Sequence, residues 1–295
     1  MPQVKANGVT LEVERYGDPA NPPLLLIMGL GAQLTLWPIE LVEALVARGY
    51  HVIRYDNRDI GLSTKFTEHG VPNVRKVLLM RLFGLRPKLP YRLTDMAADA
   101  VGLLDALGID KAHIVGASMG GMIAQLVAAT YPERTLSLTS IMSTTGNRRV
   151  PPAKPEAFKA LTTPPPANAT LDQIIPHVTR IARAIGSPAY PSPEARLVER
   201  ITRDFERSFH PTGSARQLAA IIDDGCRRSR LKNVTAPALV IHGADDPLVR
   251  VEGGRDTAAH IAGARLLEIP GMGHDLPLEL VEEVADAIAG VARPA

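Results

Sequence analysis

The chain has 295 residues, 45% of them hydrophobic and 22% charged, with a formal net charge of +2. Such a chain forms one large domain, or one domain with a sizeable insertion, and its near-balanced charge argues against bulk nucleic-acid binding. No apolar run reaches a membrane span, no apolar signal core opens the sequence, and the one cysteine, Cys226, allows no internal disulfide, so the expectation is a cytoplasmic protein without stable membrane association.

Residues 2–6 and 9–16 read as two strands joined at Asn7-Gly8, and residues 23–28 as a short, wholly apolar strand. Ile39, Leu41, Val42, Leu45 and Val46 recur at helical spacing, which predicts a helix over 38–48 that stops at Gly49. A strand follows at 51–55. Residues 65–91 then break the pattern, with Arg75, Lys76, Arg81, Arg86 and Lys88 set among Val77, Leu78, Leu79, Leu82 and Phe83. A helix is predicted over 94–108 with Thr94 as its N-cap. Residues 112–115 form a strand, 121–129 a helix and 136–142 another strand.

The second break, residues 147–231, holds 11 of the 25 prolines and 14 Lys/Arg against 8 Asp/Glu, a local balance of +6 that leaves the rest near −4. Helices are predicted there over 171–185 and 193–209, with a proline-rich loop over 162–169. A strand (238–242), a helix (254–261), a strand (264–269) and a terminal helix (277–290) close the chain. Strands alternating with helices imply an α/β fold, a mostly parallel central sheet with helices on both faces. Residues 1–146 and 232–295 would form the core. Residues 147–231 would form a helical cap over the sheet's carboxyl edge, where open α/β sheets place their sites.

The most informative motif is Gly116-Ala117-Ser118-Met119-Gly120. A serine between two close glycines at a strand-to-helix turn is a nucleophile elbow, which exposes the hydroxyl above the sheet. A serine needs a base and the base an orienting carboxylate. His274, in Pro270-Gly271-Met272-Gly273-His274-Asp275, follows the 264–269 strand. His242 competes less well, because it precedes a Gly-Ala-Asp-Asp turn suited to loop hydrogen bonds. For the acid, Asp246 is preferred to Asp245 because Pro247 fixes its backbone as extended. The loop after the 136–142 strand offers no carboxylate. The oxyanion donors are the backbone N–H groups of Met119 and of Leu30 in Met28-Gly29-Leu30-Gly31. Gly29-Leu30-Gly31 lacks the later glycine and lysine of a phosphate loop. Neither metal nor cofactor is called for.

Together these motifs resemble the α/β-hydrolase superfamily over nearly the whole length. Met28-Gly29 stands where many members have His-Gly. Asp56-Asn57-Arg58-Asp59-Ile60-Gly61-Leu62-Ser63 is similar to the family's Asp-x-Arg-Gly-x-Gly-x-Ser stretch, with Asp59 departing at the first glycine. Ile27-Met28-Gly29, Trp37-Pro38, residues 53–59 and Ile269-Pro270-Gly271-Met272-Gly273-His274 are similar to a bacterial esterase branch that includes anthracycline methylesterases, most strongly in the core and least in the cap. The resemblance implies a cofactor-independent serine hydrolase of a small-molecule carboxylic ester. Lactonase, thioesterase, C–C bond hydrolase, polyketide methylesterase and cofactor-free perhydrolase activities share the triad. A ligand-binding protein that has lost catalysis is the reading from another class. Leu34, Trp37, Met142 and Leu248 flank the site segments and suggest an apolar pocket, with ordinary core packing as the alternative. The cap's basic residues are expected on solvated helix faces, an anionic or membrane-surface substrate being the other reading. Monomer and homodimer are both open.

Overall fold

A computed structural model of the chain describes residues 3–165 and 168–292. Pro2 of the first expected strand and Pro166 and Ala167 of the proline-rich loop lie outside the described residues. The strands are β1 (Gln3–Ala6), β2 (Val9–Tyr16), β3 (Pro23–Ile27), β4 (His51–Tyr55), β5 (Ala112–Ala117), β6 (Thr135–Ile141), β7 (Ala238–Gly243) and β8 (Arg265–Ile269). They form one sheet in the order β1-β2-β4-β3-β5-β6-β7-β8, antiparallel at the β1–β2 and β2–β4 pairs and parallel elsewhere.

The helices of the core are α1 (Ile39–Ala47), α2 (Val74–Leu82), α3 (Leu93–Ala106) and α4 (Met119–Thr130). Between β6 and β7 the chain forms α5 (Pro155–Thr162), α6 (Leu171–Ile185), α7 (Glu194–Arg207), α8 (Pro211–Asp224) and the short α9 (Arg228–Leu231). Then α10 (Val251–Ala259) and α11 (Val281–Ala292) flank β8.

Period-two alternation divides the core between the sheet's faces. Leu25, Ile27, Ile53, Tyr55 and Ile114 join the cluster under α3 and α4, while Leu24, Leu26, Val52, Val115 and Ile241 join the one under α1 and α11. Central strands β3, β5 and β7 are apolar on both faces because helices cover both, as parallel sheets require. Every parallel strand therefore points its carboxyl end to one edge, and the site is built there.

Several expected boundaries shift, among them the start of α4, now at Met119, and the end of α7, now at Arg207. The N-terminus of α3 is capped at Arg92, whose N–H donates to the Asp95 carboxylate at 2.7 Å, so Thr94 lies inside the helix. Helix α10 begins at Val251. Leu278–Leu280 form a tight 3₁₀ turn before α11, so the terminal α-helix starts at Val281.

Candidate active site

Ser118 joins β5 to α4 with φ +56° and ψ −118°. That left-handed backbone costs an L-residue and persists only where the surroundings over-determine it. Here they do. The Ser118 N–H donates to the Ile141 carbonyl at 2.9 Å, and the Ser143 hydroxyl donates to the Ser118 carbonyl at 2.8 Å. A Cβ on Gly120 would lie 1.9 Å from the Ile27 carbonyl oxygen, so only glycine lets the turn seat against β3.

The loop after β8 brings His274 Nε2 to 3.0 Å from Ser118 Oγ, and His274 Nδ1 to 2.7 Å from Asp246 Oδ2. A carboxylate at Nδ1 keeps the proton there, leaving Nε2 to accept from the serine hydroxyl. Asp246, in the turn after β7, is buried, and its Oδ1 accepts the N–H groups of Leu248 and Val249 at 2.8 and 2.9 Å. Burial by itself would raise its pKa. The charge of His274 and hydrogen bonds from His242 and His274 outweigh burial and hold the carboxyl down to about 2. His242 is itself buried; its Nε2 donates to the Val249 carbonyl at 2.7 Å and stands 3.5 Å from Asp246 Oδ2. Asp245 turns the other way and accepts the Gly271 N–H at 2.9 Å, tying the acid's turn to the histidine's loop.

That loop also leans on the cap. The His274 N–H donates to the Ile185 carbonyl at the end of α6 (2.7 Å), and the Gly273 N–H donates to Ser187 Oγ (2.8 Å). The Ser187 hydroxyl in turn donates to the Asp275 carboxylate.

The loop after β3 lies against Ser118: a Cβ on Gly29 would stand 3.1 Å from Ser118 Cβ. Among the described residues, neither the Leu30 nor the Met119 N–H has a hydrogen-bond acceptor. Met28, standing in the place of the family's histidine, leaves the loop to other supports. Asn57 Nδ2 donates to the Met28 carbonyl at 2.8 Å. Gln217 of α8, fully buried, accepts the Gly31 N–H at 2.9 Å and donates to the Arg58 carbonyl at 2.9 Å. Asp56 accepts the Leu34 N–H at 2.7 Å and pairs at 2.7 Å with Arg207 of α7.

Asp59, the departure from the family's glycine, keeps the backbone that glycine would supply, with φ +72°. Its buried carboxylate receives Arg216 of α8 at 2.7 and 2.9 Å, the Tyr91 hydroxyl at 2.7 Å and the Phe66 N–H at 2.9 Å. Burial would raise its pKa, but these donors overcome it and lower the value. Eight of the 14 Lys/Arg of residues 147–231 are exposed, as expected of solvated faces, while a minority turn inward. Arg216 and Arg227 are buried and Arg207 is half-buried, paired with Asp59, Asp224 and Asp56 respectively. For Arg207 and Arg216 the physical reason is that the sheet's carboxyl edge carries the buried carboxylates Asp56 and Asp59, which need cations, whereas Arg227 pairs within its own segment.

Of the expected pocket residues, Leu34 and Trp37 are wholly buried, Met142 is 4% exposed with φ +41°, and Leu248 is half-buried. Trp37 and Met142 belong to the core cluster under α1 and α11, so packing accounts for their burial. Sequence reasoning missed Gln217, Arg207, Arg216 and Ser187. Only Arg216 had a signal, since a carboxylate at position 59 needs a cation somewhere. Among the described residues, no group of three or more His, Cys, Asp or Glu is arranged to hold a metal ion.

The sequence pattern of the alpha/beta hydrolase fold matches residues 22–279. The chain is 33% identical to rhodomycin D methylesterase DnrP of Streptomyces peucetius, over 97% of this chain and 96% of that protein. It is 26% identical to 3-oxoadipate enol-lactonase 2 of Acinetobacter baylyi, over 98% and 95% of the two chains. Among solved structures, an enol-lactonase from Burkholderia xenovorans LB400 superposes with a TM-score of 0.74 at 25% identity, covering 98% of this chain and 99% of that one.

Proposed function

The chain belongs to the α/β-hydrolase fold family, and on that premise we propose that it hydrolyses carboxylic esters through Ser118, His274 and Asp246 by way of an acyl-enzyme. One observation carries the reading: the unbroken chain of hydrogen bonds from Ser118 Oγ through the His274 imidazole to a buried, ionised Asp246. Ser118 Oγ attacks the acyl carbon as its proton passes to His274 Nε2. Asp246 holds the ring and stabilises its charged form. The free N–H groups of Leu30 and Met119 receive the oxyanion, an arrangement in which each donor is worth roughly 10²–10³ in rate. Collapse expels the alcohol, which takes the proton from His274. Water, activated by the same imidazole, then releases the carboxylic acid and restores Ser118.

Of Leu34, Trp37, Met142 and Leu248, only Leu248 carries substantial exposed surface, so it is the one we place against the acyl or ring portion, the other three being packed in the core. Similarity to a methylesterase over the full length favours a methyl ester of a bulky acid. Similarity to an enol-lactonase in both sequence and fold favours a lactone as the second reading. Cys226 is exposed and unpaired, in keeping with the cytoplasmic location we propose.

The test is hydrolysis of p-nitrophenyl esters from acetate to decanoate, wild type beside Ser118→Ala. Loss of at least about 10⁴-fold in kcat is expected of the variant. Equal rates would end the assignment. A fluorophosphonate should label the wild type and leave the variant untouched; a protein that takes no label would be a binding protein on this fold.

A further inference from the structure

We propose that the segment around α2 docks on an anionic lipid bilayer. Six of the thirteen large apolar side chains exposed among the described residues fall in this one stretch: Val71, Leu78, Leu79, Leu82, Phe83 and Leu85. Phe83 is 74% exposed and the others between 46% and 60%. Such a concentration differs from the scattered apolar residues of an ordinary surface. Helical spacing aligns Arg75, Leu79 and Phe83 in one row and Leu78 with Leu82 in the next. The helix rests on α8 through buried Val77, so the remaining apolar side chains face outward.

Charge selects the partner. Residues 71–91 contain five Lys/Arg and no Asp or Glu. Arg81 points inward to Asp223 at 3.7 Å. Arg75, Lys76, Arg86 and Lys88 are exposed, and among the described residues none of them makes an ion pair. Elsewhere on the surface some arginines are matched, as in Arg48 with Glu282, Arg196 with Glu40 and Arg255 with Glu268. Arg148, Arg149, Arg180 and Arg265 are exposed without an ion pair among the described residues, but they lack the cluster of exposed apolar side chains that surrounds the cations of this stretch. Four unmatched cations around an apolar ridge suit a surface that is apolar beneath and negative at its face. A second copy of the chain suits it poorly, because a two-fold contact would lay these cations against themselves.

The nine residues of α2 are far too short to cross a bilayer, and no helix among the described residues is long and apolar enough to do so. The helix would lie in the headgroup region. This revises the expectation of no membrane association, which rested on overall composition. Docking would also set the bilayer beside α8, whose Gln217 holds the loop next to Ser118. The inference stands on the surface alone and is independent of the proposed reaction.

The experiment is co-sedimentation of the full chain with vesicles of phosphatidylcholine alone and of phosphatidylcholine mixed with phosphatidylglycerol. Wild type should pellet with the mixed vesicles and stay in solution with phosphatidylcholine, and raised salt should release it. Arg75→Gln with Lys76→Gln should weaken partitioning about 25-fold, at about five-fold per charge. Leu79→Ser with Phe83→Ser should weaken it by at least about ten-fold. Both pairs lie outside the candidate site and should keep wild-type circular dichroism and wild-type turnover of a short soluble ester. No pelleting with mixed vesicles, or equal pelleting of wild type and both variants, would overturn the proposal. So would a wild-type dimer in sedimentation equilibrium that Leu79→Ser with Phe83→Ser dissociates, which would give the face to a second copy.

Discussion

The elbow and the acid's turn are held locally, whereas the oxyanion loop and the histidine's loop are held from the cap. Ser118 is fixed by backbone bonds to β6 and by a glycine contact with β3. Asp246 is fixed by two N–H groups from the next three residues. Gly31, by contrast, is bonded to Gln217, 186 residues away, and His274 to Ile185. Ser118 and Asp246 thus come with the sheet, while under the proposed reaction the geometry of anion binding and proton transfer would depend on how the segment between β6 and β7 is seated. The two halves should respond differently to substitution.

Breaking the sheet-borne half should cost most. Asp246→Asn presents an amide to Nδ1, favours the wrong imidazole tautomer, and should lower kcat by about 10⁴-fold with KM little changed. A second signature is acid stability. With a folded pKa of about 2, below the unfolded value of roughly 3.9, Asp246 contributes about 2 kcal/mol that is present at neutral pH. That contribution disappears as pH falls through about 4 towards 2. Denaturant melts should therefore show the stability gap between wild type and Asp246→Asn narrowing between about pH 6 and pH 3. A constant gap would place the carboxylate's stabilisation elsewhere.

Next in size is the seat of the cap. Arg216→Met leaves the buried Asp59 carboxylate without its cation and should cost about 3–5 kcal/mol of stability. Asp59 sits at φ +72°, a conformation glycine accepts freely. Adding Asp59→Gly to Arg216→Met should therefore recover most of the loss in a thermal melt. If the double variant is no more stable than the single one, the unpaired charge is not the cause.

The oxyanion loop should respond more mildly. Gln217→Ala removes the acceptor of the Gly31 N–H and the donor to the Arg58 carbonyl while leaving Leu30 and Met119 in the chain. We expect kcat to fall about ten-fold with KM within about two-fold, the pattern of an interaction felt in the transition state. A rise in KM with kcat intact would make Gln217 a substrate contact instead.

The same division decides what could be read from the sequence. The elbow is legible because its pattern of small residues around a serine spans only five residues, even though β6 and β3 hold it in place, and the strands because wholly apolar runs have few other uses. The cap of α3 was misplaced by two residues, since Thr94 and Arg92 both precede the apolar face and only the reach of Asp95 to the Arg92 N–H distinguishes them. Gln217 is illegible: nothing in Ala215–Ala219 separates a glutamine that holds a loop 186 residues away from one that faces water. The arginines of residues 147–231 were countable, but that Arg207 and Arg216 turn inward depended on Asp56 and Asp59, 151 and 157 residues away, and a net balance of +6 contains no information about pairing.

The smallest expected effect tests whether burial is what matters in seating the cap. Arg196 of α7 bonds both carboxylate oxygens of Glu40 at 2.9 Å through one nitrogen, a pair of length similar to Arg216 with Asp59. Yet its side chains are 43% and 38% exposed, so water and salt screen the attraction and removing one partner strands no charge in the interior. Arg196→Ala should shift stability by less than about 0.5 kcal/mol and leave kcat unchanged. Compared with Arg216→Met, it removes a pair of similar length at the exposed rim rather than in the interior. A loss at Arg196 comparable with that at Arg216 would mean that the cap is held by its rim, and the dependence of the oxyanion loop on buried side chains would have to be abandoned.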